Sequence, residues 1–116
     1  MNQRTRWACL AGLLACQFSV GAQGSLPNGA MVFHHRCAIC HGVNADGQSD
    51  LARIMRPPPA NLRASKLDDA ERASIVRRGG AAVGRSPNMP EWQLELSEQE
   101  LLDVVAFVGA LREPAQ

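Results

Sequence analysis

Two thiols three positions apart, followed at once by an imidazole, make Cys37-Ala38-Ile39-Cys40-His41 the segment of this chain best equipped for chemistry. On a helical turn both sulfurs can add to the two vinyl groups at one edge of a porphyrin, and the adjacent histidine then points its ring at the iron. C-x-x-C-H is for that reason the attachment pattern of a c-type haem. One covalent haem c is the cofactor this motif predicts, with Cys37, Cys40 and His41 binding it and His41 ligating the metal.

Other chemistries of paired cysteines fit the surroundings poorly. A thioredoxin-type redox pair follows a buried strand, whereas Gly29 to Arg36 has neither a β-branched run nor period-two alternation. A structural zinc site draws four ligands, usually from two spaced pairs, and no second Cys or His pair lies downstream. His34 and His35 sit on the segment that carries His41, so neither can easily reach the far face of a haem, and both read as solvated surface.

The elements that must position these groups begin after a leader. Met1 to Ala22 reads as a secretory signal: Arg4 and Arg6 give a positive start, Trp7 to Ala15 an apolar run, and Val20-Gly21-Ala22 a small-residue cleavage site. The run is too short for a membrane span, which needs about 20 apolar residues. Leu13-Leu14-Ala15-Cys16 also resembles a lipoprotein box, so two fates stand: cleavage to a chain starting at Gln23, or a lipid anchor on Cys16. With Cys9 and Cys16 in the leader, the other two of the four cysteines both belong to the haem motif, and no structural disulfide is expected. The domains are thus a signal over 1–22 and one domain over 23–116, exported to an oxidising compartment, the periplasm.

A domain of that length is short for burying a large core unaided, and a haem would supply apolar mass. Twelve basic and eleven acidic side chains leave the charge nearly balanced, which argues against nucleic acid as a partner. Basic residues gather from Arg53 to Arg85 (Arg53, Arg56, Arg63, Lys66, Arg72, Arg77, Arg78 and Arg85), and Glu91 to Asp103 is purely acidic. A mixed solvated surface accounts for both runs.

Three helices are predicted, and no segment reads as a strand. The first runs from about Pro27 into the haem motif, with proline suited to a first turn. The second covers Leu67 to Arg78, where Asp68 and Glu71 have capping-box spacing and Gly79-Gly80 supplies a stop. In the third, Ser97 and Glu100 form a capping box, Leu101, Val104, Val105, Val108 and Leu111 recur at helical spacing, and Pro114 follows the end. So apolar a helix must pack on another element, and the first helix and the haem are the available ones. The fold class is all-α, with N- and C-terminal helices crossing.

From Gly29 to Leu111 the chain resembles the small monohaem class I cytochromes c with His/Met ligation, of bacterial periplasmic type. Gly29, Phe33, Val104 and Phe107 stand where that family packs its terminal helices. Asn88-Met89-Pro90-Glu91-Trp92 is similar to its Met-Pro-x-aromatic loop, which implies Met89 as the sixth ligand to iron; a thioether there favours the ferrous state. Met31 and Met55 are poorer candidates, the former within the first helix and the latter just before the prolines expected on the His41 side. Arg56-Pro57-Pro58-Pro59-Ala60-Asn61-Leu62 resembles a run whose proline carbonyl, here that of Pro57, Pro58 or Pro59, accepts from the ligating histidine's Nδ1–H. Ile75 to Gly80 is similar to the Ile-x-x-Gly-Gly stretch before the methionine loop.

The resemblance implies a small cytochrome c fold of three main helices around a covalent haem. It implies one-electron transfer in the periplasm with no catalysis of its own, as a soluble carrier or as the electron-accepting cytochrome subunit of a periplasmic dehydrogenase. Its partners would be redox proteins, and the arginine-rich middle would face an acidic surface on one of them. A haem enzyme or gas sensor with a displaceable sixth ligand is the alternative.

Overall fold

In the computed structural model of the chain, residues 23–114 are described, so the signal expected over 1–22, with Cys9 and Cys16, lies outside the described residues. Ser25 holds extended backbone and accepts the Asn28 N–H on its hydroxyl, which starts helix α1, Leu26–Val32, with Pro27 in the first turn. The chain then widens into a π turn, Phe33–Cys37, closed by the Ala38 N–H reaching back to the Phe33 carbonyl. Helix α2, Ala38–His41, carries the rest of the haem motif. The single first helix expected from the sequence is therefore a helix with a wide turn in its middle.

Helix α3 spans Asp69–Arg78, beginning two residues after the expected Leu67 because Asp68 keeps extended backbone as the cap. The expected reciprocal bonds form: Glu71 N–H donates to Asp68, and Asp68 N–H to Glu71, each at 2.8 Å. Helix α4, Glu98–Ala110, starts on the Ser97 and Glu100 pair in the same way. Short 3₁₀ turns occupy Leu51–Arg53 and Ala81–Val83, and no strand forms among the described residues. No helix among them is long and apolar enough to cross a membrane.

The terminal helices cross where the sequence places them. A Cβ on Gly29 would fall on the Asp103 carbonyl and lie 2.7 Å from the Phe107 Cβ, so only glycine lets α1 and α4 approach this closely. One turn further, Phe33 is fully buried, its ring centroid 5.5 Å from that of Phe107 at a 48° tilt. Leu101, Val104, Val105 and Val108 complete the buried stripe of α4. The all-α fold with crossing terminal helices is the one anticipated.

Two charged residues depart from the mixed solvated surface. Asp103 is buried at the crossing, where Ser25 N–H at 2.6 Å and Gln99 Nε2 at 2.8 Å donate to its Oδ1. Burial works against the charged carboxylate, but these donors, together with the Asn28 side chain, outweigh it and hold the group below the ordinary carboxylate range. Arg72 is also buried, between α3 and α4, donating to the Leu67 carbonyl and to Asp69 in the space beside Gly109. Asp103 and the two terminal nitrogens of Arg72 carry hydrogen-bond partners, as burial demands, whereas the buried Arg72 Nε has none among the described residues.

Candidate cofactor site

A cavity of about 760 Å³ opens between the haem motif on one side and α3, α4 and the segment before α4 on the other. That size lies within the roughly 300–1,000 Å³ of cofactor pockets. Ile75 and Val76 of α3 and Val104, Val105 and Val108 of α4 give it apolar walls, and the three prolines line it too. Cys37, Cys40, His41 and Met89, gathered from distant parts of the chain, all face it.

Both cysteines are free thiols. Burial, with a smaller contribution from neighbouring Cys40, pushes the Cys37 thiol up to about 12, so it stays uncharged. A neutral sulfur in an apolar wall suits an uncharged thioether. Burial also lowers the His41 pKa, opposed by the hydrogen bond to Ala60, and a neutral imidazole is the form that binds metal.

His41 Nδ1 lies 3.0 Å from the Ala60 carbonyl oxygen. A carbonyl can only accept, so Nδ1 carries the proton and the Nε2 lone pair is left for a metal. The acceptor is thus Ala60, one residue beyond the prolines expected to provide it. The register comes from the loop after His41: Gly47 N–H bonds the His41 carbonyl at 2.8 Å, and Leu62 N–H bonds the Ala45 carbonyl at 2.9 Å. Those two bonds bring Ala60, rather than a proline, opposite the ring. Asn61, where many relatives of the resembled family have an acid, accepts from the N–H groups of Arg63 and Ala64 and so closes a local turn.

Met89 is supplied by a loop folded back on the end of α3. Gly80 N–H donates to the Met89 carbonyl at 2.9 Å, and Trp92 N–H to the Val76 carbonyl at 2.9 Å. Gly79 has φ +76°, and a Cβ there would lie 2.9 Å from the Glu91 nitrogen; one on Gly80 would lie 3.2 Å from the Met89 Cβ. The Gly-Gly step therefore does more than stop a helix: it makes room for the methionine loop. Met55 also lines the cavity, in the segment leading to Ala60 and hence to His41's acceptor, while Met31 is exposed outside it. His34 and His35 are exposed and do not line it.

Two thiols spaced for one porphyrin edge, a histidine with Nε2 free and an apolar cavity of this size together fit a covalently held haem. Comparison with known proteins agrees. The chain is 34% identical over 93 residues to the cytochrome c subunit of alcohol dehydrogenase (quinone) from Gluconobacter oxydans, covering 76% of this chain and 18% of that one. It is 28% identical over 83 residues to the Cbb3-type cytochrome c oxidase subunit CcoP of Azospirillum brasilense, covering 72% of this chain and 27% of that one. Cytochrome c6 of Bryopsis maxima is 32% identical over 85 residues, 73% of this chain and 90% of the relative. The chain thus spans less than a third of the first two relatives and most of the third. A chain of the Kuenenia stuttgartiensis reducing HAO-like protein complex superposes with a TM-score of 0.65 at 23% identity, covering 79% of this chain and 44% of that one, which shows a shared fold. The cytochrome c family model matches residues 26–112, and this chain belongs to that family of electron carriers, which hold haem c covalently.

Proposed function

We propose that this chain carries one electron at a time on a single haem c in the periplasm. Cys37 and Cys40 would hold the porphyrin as thioethers, and His41 and Met89 would ligate its iron. The observation that carries this reading is the convergence of all four side chains on one apolar cavity, with His41 fixed by Ala60 so that Nε2 is the free nitrogen. When bound, the haem supplies a metal that changes its charge by one unit. The chain's own part is to keep that change small in structural cost. Ala60 holds the imidazole in one orientation, the Gly79-Gly80 step seats the methionine loop, and the valines of α4 exclude water.

A haem held by Cys37 and Cys40 would exchange electrons with partners near those residues. Ile39, between them, is 68% exposed, and Val43 and Ile54 nearby in sequence are similarly open, exposed apolar side chains of the kind that brief docking uses. Arg78 and Arg85 are exposed and have no carboxylate partner among the described residues, so they can face an acidic partner. Arg77 cannot be counted with them, because it pairs with Glu98 of the same chain at 2.5 Å. The likeness to a dehydrogenase subunit supports service to a periplasmic dehydrogenase, as a bound subunit or a free carrier.

Spectroscopy of the haem-loaded protein tests the reading. Met89→Ala should abolish the weak far-red sulfur-to-iron absorption and let the reduced protein take up carbon monoxide promptly. Persistence of that band in the variant removes Met89 from the iron, and prompt carbon monoxide binding by the unaltered protein favours a gas-binding or catalytic haem instead.

A further inference from the structure

The two loops that face each other across the cavity are tied by one side chain. Asn88 Nδ2 donates to the Arg56 carbonyl at 3.1 Å and to the Pro57 carbonyl at 3.4 Å. Asn88 precedes Met89, whereas Arg56 and Pro57 begin the run that ends at Ala60, the acceptor for His41. Among the described residues, the hydrogen bonds joining the methionine loop to this run all start from Asn88.

We propose that Asn88 is a positioning residue that clamps the Met89 loop shut against the His41-side loop, and so sets how readily Met89 leaves the iron. The proposal rests on Met89 being the sixth ligand. Three consecutive prolines have fixed φ and stiffen the run between the clamp and Ala60. The Arg56 guanidinium folds back on the carbonyls of Arg53 and Met55 at 3.0 and 2.8 Å, which steadies the end that Asn88 grips. On its other side Met89 is already held, through Gly80 and through Trp92 on the end of α3. On the N-terminal side the Met89 N–H reaches the Ser86 carbonyl at 3.3 Å and the Asn88 N–H the Ser86 hydroxyl at 3.1 Å, bonds that stay within the methionine loop, so Asn88 Nδ2 adds the tie to the opposite loop; Asn88 and Met89 both line the cavity. Through the stiff run, both axial groups are referred to the same piece of backbone.

The test is the rate at which imidazole displaces the sixth ligand from the ferric, haem-loaded protein, followed by stopped flow alongside the urea midpoint. Asn88→Ala removes the donor, and Asn88→Asp keeps the size but offers a carboxylate that cannot donate to a carbonyl at neutral pH. Both should speed displacement about three- to tenfold, the effect of losing one or two exposed amide hydrogen bonds, and should lower the urea midpoint by no more than that same small loss from the folded state. Displacement at the unaltered rate in both variants overturns the clamp, provided Met89→Ala binds imidazole faster than the unaltered protein. If the unaltered protein binds imidazole as fast as Met89→Ala, the ligand assignment itself fails and takes the clamp with it.

Discussion

Ser25 and Asp103, 78 positions apart, meet at the helix crossing, where the Ser25 backbone N–H donates to the Asp103 carboxylate at 2.6 Å. The residue that caps α1 is therefore anchored by a charge on α4, which also lies favourably near the positive end of a helix. Because the folded carboxyl is held below its ordinary range, the unfolded chain binds the proton more readily at acid pH. The stabilisation is present above the unfolded pKa and is lost as pH falls through the folded one. Asp103→Asn should cost about 1–2 kcal/mol at neutral pH, and its deficit should shrink in acid. Urea unfolding of both proteins at neutral and acid pH measures the gap; a gap that stays constant contradicts this account.

Packing at the same crossing sets a second expectation. Gly29→Ala places a methyl group against the Asp103 carbonyl, which is backbone and cannot swing away, so α1 and α4 must part. Destabilisation of about 3 kcal/mol is expected, with looser Phe33–Phe107 contact visible in the aromatic ring resonances.

The acceptor of His41 can be disturbed from a distance. Gly47 has φ +79°, and a Cβ there would stand 3.0 Å from the Pro59 carbonyl and 3.3 Å from the Ala60 carbon. Gly47→Ala should cost about 1–3 kcal/mol from the left-handed backbone and push Ala60 off the ring. In the reduced haem protein the His41 Nδ1–H proton should exchange slowly with solvent, and in the variant faster. Equal exchange in the two would mean that the Ala60 bond does not hold the ring.

Surface charge offers a contrast between neighbours. Arg77→Glu breaks the pair with Glu98, and at this exposure the loss should stay below about 1 kcal/mol, recovered in Arg77→Glu with Glu98→Arg. Arg78→Glu breaks no ion pair, and it should slow oxidation by the anion ferricyanide about twofold at low ionic strength, an effect that fades with added salt. Rates unaffected by Arg78→Glu would move the docking charge elsewhere.

What could be read from the sequence is what depends on short spacing. The pairs Asp68 with Glu71 and Ser97 with Glu100 cap their helices because each needs only three residues of local geometry. The haem motif and the α4 stripe are legible for the same reason. By sequence Asp103 is one more acid of the run from Glu91, because its donor, the Ser25 N–H, is a backbone group from the other end of the chain. Arg72 likewise looked like one cation among eight, and its burial depends on the space that Gly109 leaves on a different helix. The carbonyl of Ala60 was displaced by one from the expected prolines because loop register is set by Ala45 and Gly47, which carry no periodic signal. In the sequence Asn88 stands only as part of a methionine motif. Its amide two residues after Ser86 marks a turn, but not the backbone across the cavity that it grips.

The wide turn at Phe33–Cys37 has a consequence for the length of this part of the chain. In a regular α-helix each residue advances about 100° around the axis. Phe33 has to pack on Phe107 of α4 at the margin of the cavity while Cys37, Cys40 and His41 line it from the next turn, and the spare residue held in the turn sets the angle between the two. Deleting one residue between His34 and Arg36 would let the helix run regularly, leave Gly29 and Phe33 in place, and rotate the attachment motif away by roughly that amount. Such a chain should still join its two ends and yet emerge from a maturation-competent host without colour.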